Sequence, residues 1–223
     1  MAIKKHIHES WHNNRQLMVV FIVAFFLLAG VVQYAVGLTY VIKLTSLVIA
    51  IMTALAVIFW DVNYGRRLLL SLIAIITGIV VELIGVNTGL LFGDYQYGTI
   101  MGYKIAGVPL LIGATWLLVT VSAWQIVSFS SLKSYQKILI ASGLVVMFDL
   151  LLEQFATAFG LWVWDNGVIP LLNYASWFFV SVFLLTIYAK YSKQGNPGIF
   201  GSLFGAFALP LMAIFFWLML LIS

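Results

Sequence analysis

The sequence predicts an all-α fold: a polytopic transmembrane helical bundle of about seven spans, N-terminus in the cytoplasm and C-terminus outside. Three observations lead there. The 223-residue chain is 64% hydrophobic and only 8% charged, whereas soluble domains carry about 25% charged residues. Apolar runs suited to about 20 helical residues, the length a bilayer core demands, recur along the chain. The basic residues gather in alternate connections between those runs, which orients the spans.

Taken in order, the first sixteen residues, MAIKKHIHESWHNNRQ, are polar and read as a cytoplasmic tail (1–16) ahead of a single transmembrane domain (17–223). The run over 17–37 is too long for a signal-peptide core and lacks a small-residue cleavage site, so it is expected to remain as the first span. Further runs lie at 41–60, 68–86, 105–127, 137–159, 172–189 and 199–222. Polar connections separate them at 61–67 (DVNYGRR), 87–104, 128–136, 160–171 and 190–198 (KYSKQGNPG). The expected location is the cell (inner) membrane, crossed several times.

On seven spans the cations sort by side. Lys4, Lys5, Arg15, Arg66, Arg67, Lys133, Lys137, Lys190 and Lys193 share one side, against Lys43 and Lys104 on the other. The positive-inside rule makes the first side cytoplasmic. The two long loops, 87–104 and 160–171, then fall together outside. A net charge of +4 with this placement speaks for membrane topology and lipid contact, not for a nucleic-acid partner.

The absence of Cys excludes disulfides, thiolate metal sites and a Cys nucleophile. The histidines, His6, His8 and His12, all sit in the tail, so the spans offer carboxylates without imidazole and no metal site is expected. Glu9 and Asp61 read as solvated on the basic side. Glu82, Asp149 and Glu153 lie inside apolar runs, where a carboxylic acid costs about 2.5–3.5 kcal/mol and is a functional candidate by default. Asp149 and Glu153 are four apart, so they project on one helical face. Two such acids repel when both ionise; one neutral and one ionised carboxyl suits general acid–base chemistry, and equally proton transport. The competing reading is structural: acids hydrogen-bonded to Asn, Tyr or Trp that hold helices together. Glu82 and Glu153 both approach the outer ends of helices running the same way, with Asp149 one turn deeper.

The outer loops concentrate the remaining unusual residues. GVNTGLLFGDYQYG follows Glu82, and GLWVWDNGVIPLLNYASW holds Trp162, Trp164, Asp165, Asn173 and Trp177. Neither has the setting of a phosphate-binding loop, and no cofactor motif occurs. Interfacial aromatic belts explain some of the rings; they do not explain acids, amides and rings gathered together. The last run carries no Lys for a retinal Schiff base, which disfavours an opsin.

Three blocks, ELIGVNTGLLFGDYQYG (82–98), GVPLLIGATW (107–116) and DLLLEQFATAFGLWVWDNGVIPLLNYASWF (149–178), resemble the membrane carotenoid biosynthesis proteins, which include carotenoid 1,2-hydratases and bisanhydrobacterioruberin hydratases. They cover about a quarter of the chain. Val168 to Pro170 departs from the resemblance, where a small aromatic and a Gly are expected before the Pro, and this bears on pocket shape. The resemblance implies addition of water to the terminal C=C of an acyclic carotenoid end, giving a tertiary alcohol without a cofactor. Its substrate would be a lipid-soluble carotenoid, with water as co-substrate. Asp149 or Glu153 would donate the proton and Glu82 would orient water. Tyr95, Tyr97, Trp162 and Trp164 would line the mouth and shield the cation. Asn87 and Asn173 would hydrogen-bond water or a carboxylate. Gly107 and Pro109 would shape the start of the fourth helix, with Trp116 as packing. The alternatives are a cyclase-like enzyme, in which an internal alkene captures the same cation, and a non-enzymatic proton-coupled carrier or carotenoid-binding protein. Carriers often show inverted repeats, and no repeat stands out here.

Overall fold

The computed structural model describes residues 38–60 and 62–191, with isolated helical positions at Leu209, Met212, Ala213, Trp217 and Leu220. The polar tail, the run 17–37 and most of the run 199–222 lie outside the described residues. Five helices account for most of the rest: α1 (Leu38–Phe59), α2 (Tyr64–Thr88), α3 (Leu111–Ser128), α4 (Ser134–Ala158) and α5 (Leu171–Tyr191). Four of these, α2 to α5, are long and apolar enough to cross a membrane. The 25 residues of α2 and of α4 give each a length of about 37 Å at 1.5 Å per residue, enough for a hydrocarbon core of about 30 Å.

Local signals set the helix ends. Asn63 caps α2 by accepting from the Arg66 amide at 3.0 Å, and Gly89, with φ +68°, ends it by donating its N–H to the Gly85 carbonyl. That left-handed cap is where glycine is favoured. At the start of α4 the Gln136 side chain accepts from the Lys133 amide, satisfying one of the donors that a helix start leaves open.

The bundle is apolar outside, and its mainly apolar interior encloses a minority of polar side chains. On α2, Leu69, Leu72, Ile76, Val80 and Ile84 face outward, while Ser71 and Glu82 are buried. Met147 and Leu150 on α4, and Phe179 and Phe183 on α5, are likewise exposed. An apolar surface this extensive is untenable in water and natural in lipid. α3 is the internal helix: Thr115 through Gln125 are all buried, and it packs against both α2 and α4. Thr53 on α1 donates to the Ala114 carbonyl of α3 at 3.2 Å, and Thr120 of α3 meets the Tyr188 hydroxyl of α5 at 3.2 Å.

Two departures from the all-α expectation are found at the site end. Helix α3 begins at Leu111, not near 105, because Lys104–Ile105 (β2) and Val108–Pro109 (β3) form a tight antiparallel hairpin. Its two turn residues, Ala106 (φ +46°) and Gly107 (φ +84°), have the paired positive φ of a type I′ turn. More consequential is the pairing of β1 (Tyr95–Tyr97) with β4 (Trp162–Trp164), which joins the two long loops in antiparallel register, Tyr95 opposite Trp164 and Tyr97 opposite Trp162. The ladder continues through Gly98 N–H to the Leu161 carbonyl at 2.7 Å and Asp165 N–H to the Asp94 carbonyl at 2.9 Å. A Cβ on Gly98 would stand 2.0 Å from the Gly160 carbonyl oxygen, so only glycine lets the loops meet here. After β4 the chain turns through a short 3₁₀ segment, Asp165–Gly167, into α5.

Gly98→Ala is therefore expected to lower the thermal unfolding temperature of the detergent-solubilised protein by the equivalent of about 1–3 kcal/mol, as overpacking does. Gly143→Ala, whose added methyl meets nothing within 4 Å, should be neutral or stabilising by up to about 1 kcal/mol. Equal shifts from both substitutions would contradict the close approach.

Candidate active site

The pleat of the β1–β4 pair determines which side chains reach the bundle. In each strand the outer residues are buried and the central one is exposed, because alternate residues point to opposite faces. Tyr95, Tyr97, Trp162 and Trp164 thus form one inward face, while Gln96 and Val163 face away. The four rings pack on one another, with Tyr95 to Trp164 centroids 4.9 Å apart and Tyr97 to Trp162 5.7 Å.

Each ring carries its polar atom to a carboxylate. Glu82, 2% exposed, accepts three hydrogen bonds: from the Tyr95 hydroxyl and, at 2.7 Å, the Tyr97 hydroxyl on Oε2, and from Trp116 Nε1 on Oε1 at 3.0 Å. Glu153, also 2% exposed, accepts three more: from Trp162 Nε1 at 2.9 Å and Trp164 Nε1 at 2.8 Å on Oε2, and from Asn173 Nδ2 at 3.3 Å on Oε1. Asn173 also donates to Asp149 Oδ2 at 2.9 Å, so one amide bridges the two acids of α4. Their spacing of four places both on the buried face of α4. Among the described residues, Asp149 Oδ1 has no hydrogen-bond partner. Glu82 lies within electrostatic reach of both. Burial, and then the Glu82 carboxylate beside them, push the Tyr95 and Tyr97 phenols well above the ordinary tyrosine range; both stay protonated donors.

Trp177 is also brought in, one turn beyond Asn173 on α5. Its ring stacks on Trp116 with centroids 3.9 Å apart and planes 14° from parallel. Seating that pair requires Gly78 on α2, where a Cβ would come within 2.7 Å of the Trp116 ring. Asn87 stands apart from the cluster. Its side chain is exposed and donates to the Leu83 carbonyl at 2.7 Å and the Ala106 carbonyl at 3.4 Å, fastening the β2–β3 hairpin to α2. Conversely, Trp116, expected as packing, contacts a carboxylate. A buried indole N–H requires an acceptor, and that requirement was the available signal, since Glu82 approaches the same end of the bundle.

A half-open cavity of about 610 Å³ is lined by Trp162 and Trp164, with Val163, Val168, Ile169 and Tyr174, and by Gln154 and Thr157 of α4.

Fold and site together define a membrane protein whose buried acids are roofed by aromatic donors from two loops. The chain belongs to the carotenoid biosynthesis protein family, whose sequence pattern matches residues 43–223, in agreement with the resemblance noted from the three blocks. A bisanhydrobacterioruberin hydratase from Haloarcula japonica is 28% identical over 121 residues, covering 50% of this chain and 41% of that relative. The matched stretch is thus less than half of the relative's length. No solved structure matches the chain.

Trp116→Phe keeps a ring for the Trp177 stack but removes the donor to Glu82 Oε1. Leaving that buried oxygen unpaired should destabilise the protein by about 1–3 kcal/mol, read as a lower thermal midpoint in detergent. An unchanged midpoint would contradict the contact.

Proposed function

We propose that the protein is a cofactor-independent carotenoid hydratase that adds water across the terminal C=C of an acyclic carotenoid end. The observation that carries the assignment of roles is the uneven supply of donors. Glu82 and Glu153 each accept three hydrogen bonds, a complement suited to ionised carboxylates, which only accept. Asp149 accepts one, and its Oδ1 is unpartnered, which suits a carboxylic acid whose O–H is held for transfer.

In this reading the Asp149 O–H proton is delivered to the less substituted alkene carbon. The C=C electron pair forms the new C–H bond, leaving a tertiary cation on the neighbouring carbon. Water attacks that carbon, and its departing proton passes to Glu82, the carboxylate that α2 contributes to the cluster. Return of that proton to Asp149 closes the cycle, so atoms and charge balance with one water consumed. The Trp116–Trp177 stack and the rings of β1 and β4 offer π-faces that favour a nearby cation. Glu153 holds the two indoles of β4 in place and shares Asn173 with Asp149.

The topology proposed with it is seven spans, N-terminus inside, in the cell (inner) membrane. The helix directions support the orientation of the described spans. Arg66 and Arg67 at the start of α2, Lys137 at the start of α4 and Lys190 at the end of α5 lie at the end opposite the site. At the site end Lys104 donates to the Tyr97 carbonyl at 2.6 Å.

Expression in cells that accumulate lycopene should yield a pigment heavier by one water. Asp149→Asn should reduce that product by about 10²–10⁴-fold, the range for loss of a general acid, at normal expression level. A product of unchanged mass would point to cyclisation instead. Full activity of Asp149→Asn would remove the assigned proton donor.

A further inference from the structure

We infer that the cavity between the outer ends of α4 and α5 is the seat of a linear polyene chain, taken laterally from the bilayer and laid against Trp162 and Trp164. The inference rests on the reading of the protein as acting on a carotenoid and adds where the body of that molecule lies. Four observations converge on it. The lining contains no Lys, Arg, His, Asp or Glu, its polar side chains being Gln154, Thr157 and Tyr174, so it holds no cation to pair with a phosphate or carboxylate headgroup. Its volume, about 610 Å³, falls in the range of sites that bury small molecules.

Its rim is open and mixes exposed aliphatic side chains with the exposed Gln154 and Thr157 of α4. Val163 is 60% exposed, Val168 68% and the adjacent Leu171 82%; large aliphatic groups are left uncovered like this where the neighbour is lipid or an apolar ligand. Finally, the cavity shares a wall with the acid cluster. Trp162 and Trp164 line it, and the same two indoles donate their N–H groups to Glu153. A polyene lying here stacks conjugated double bonds on indole faces while its terminal unit is directed at the boundary of the carboxyl cluster. The segment Val168–Ile169, which departs from the family resemblance, forms part of the lining. These two residues are therefore placed to discriminate among polyene ends.

The sequence contains no cysteine, so a single introduced thiol reports one position. The full chain carrying Val168→Cys is placed in phosphatidylcholine nanodiscs with or without lycopene, and its rate of maleimide labelling is measured. Tyr103→Cys, at an exposed loop residue outside the lining, is the control. At a polyene concentration about ten times Kd, labelling at position 168 should slow by about tenfold, with no change at position 103. Val163→Cys gives the same readout should the first variant fail to fold. Equal labelling rates with and without lycopene would overturn the inference, as would protection by phosphatidylcholine alone that lycopene does not increase. Protection without formation of a water adduct in cells would leave the seat standing and remove the hydratase reading. A water adduct without protection would do the reverse.

Discussion

Three carboxyl groups buried in a helix bundle must be given hydrogen-bond donors, and most of this structure follows from that requirement. An unpaired polar group away from water is costly, and a carboxylate more so. The helices cannot meet the demand alone. Among the described residues they contribute Trp116 and Asn173, while Tyr95, Tyr97, Trp162 and Trp164 come from the loops. The loops are consequently drawn down onto the bundle as a two-stranded pair, whose twofold alternation aims four rings in one direction. The close approaches at Gly98 and Gly78 follow from the same demand, the first letting the strands meet and the second making room for Trp116.

The outcome is an uneven distribution of satisfaction. Glu82 and Glu153 are each surrounded by aromatic N–H and O–H groups, and Asp149 shares a single amide with Glu153. In a medium of low dielectric such differences are amplified, because each donor present or missing weighs more than in water. A site that protonates an unactivated alkene needs this kind of asymmetry: one carboxyl that holds a proton, another that can receive one, and little bulk water to compete for the cation. The aromatic groups then act twice. Their polar edges hold the acids in place, and Trp162 and Trp164 also line the open cavity.

How much of this was legible in the sequence depends on the range of the interaction. The spans α2, α4 and α5 lie within a few residues of the apolar runs because hydrophobicity and helix length are local. Asp149 and Glu153 share a face because 3.6-residue periodicity is local too. Hydrophobicity alone starts this span at 105, since Ile105–Pro109 is apolar enough for a helix, yet Ala106 and Gly107 at positive φ make it part of a hairpin. The strand pairing was not legible, since YQY and WVW are separated by more than sixty residues and neither is long enough to announce itself.

The sequence by itself determined the membrane class, the family, the three acids and the gathering of rings in two loops. Composition, periodicity and motif order carry these without reference to distance in space. Only the tertiary structure decided which donor serves which acid. It bonded Trp116 to Glu82 across 34 positions, left Asn87 outside the cluster, and set Val168 and Ile169 along a cavity that Trp162 and Trp164 also line. Those outcomes depend on how helices and strands from distant parts of the chain pack, which no local pattern encodes.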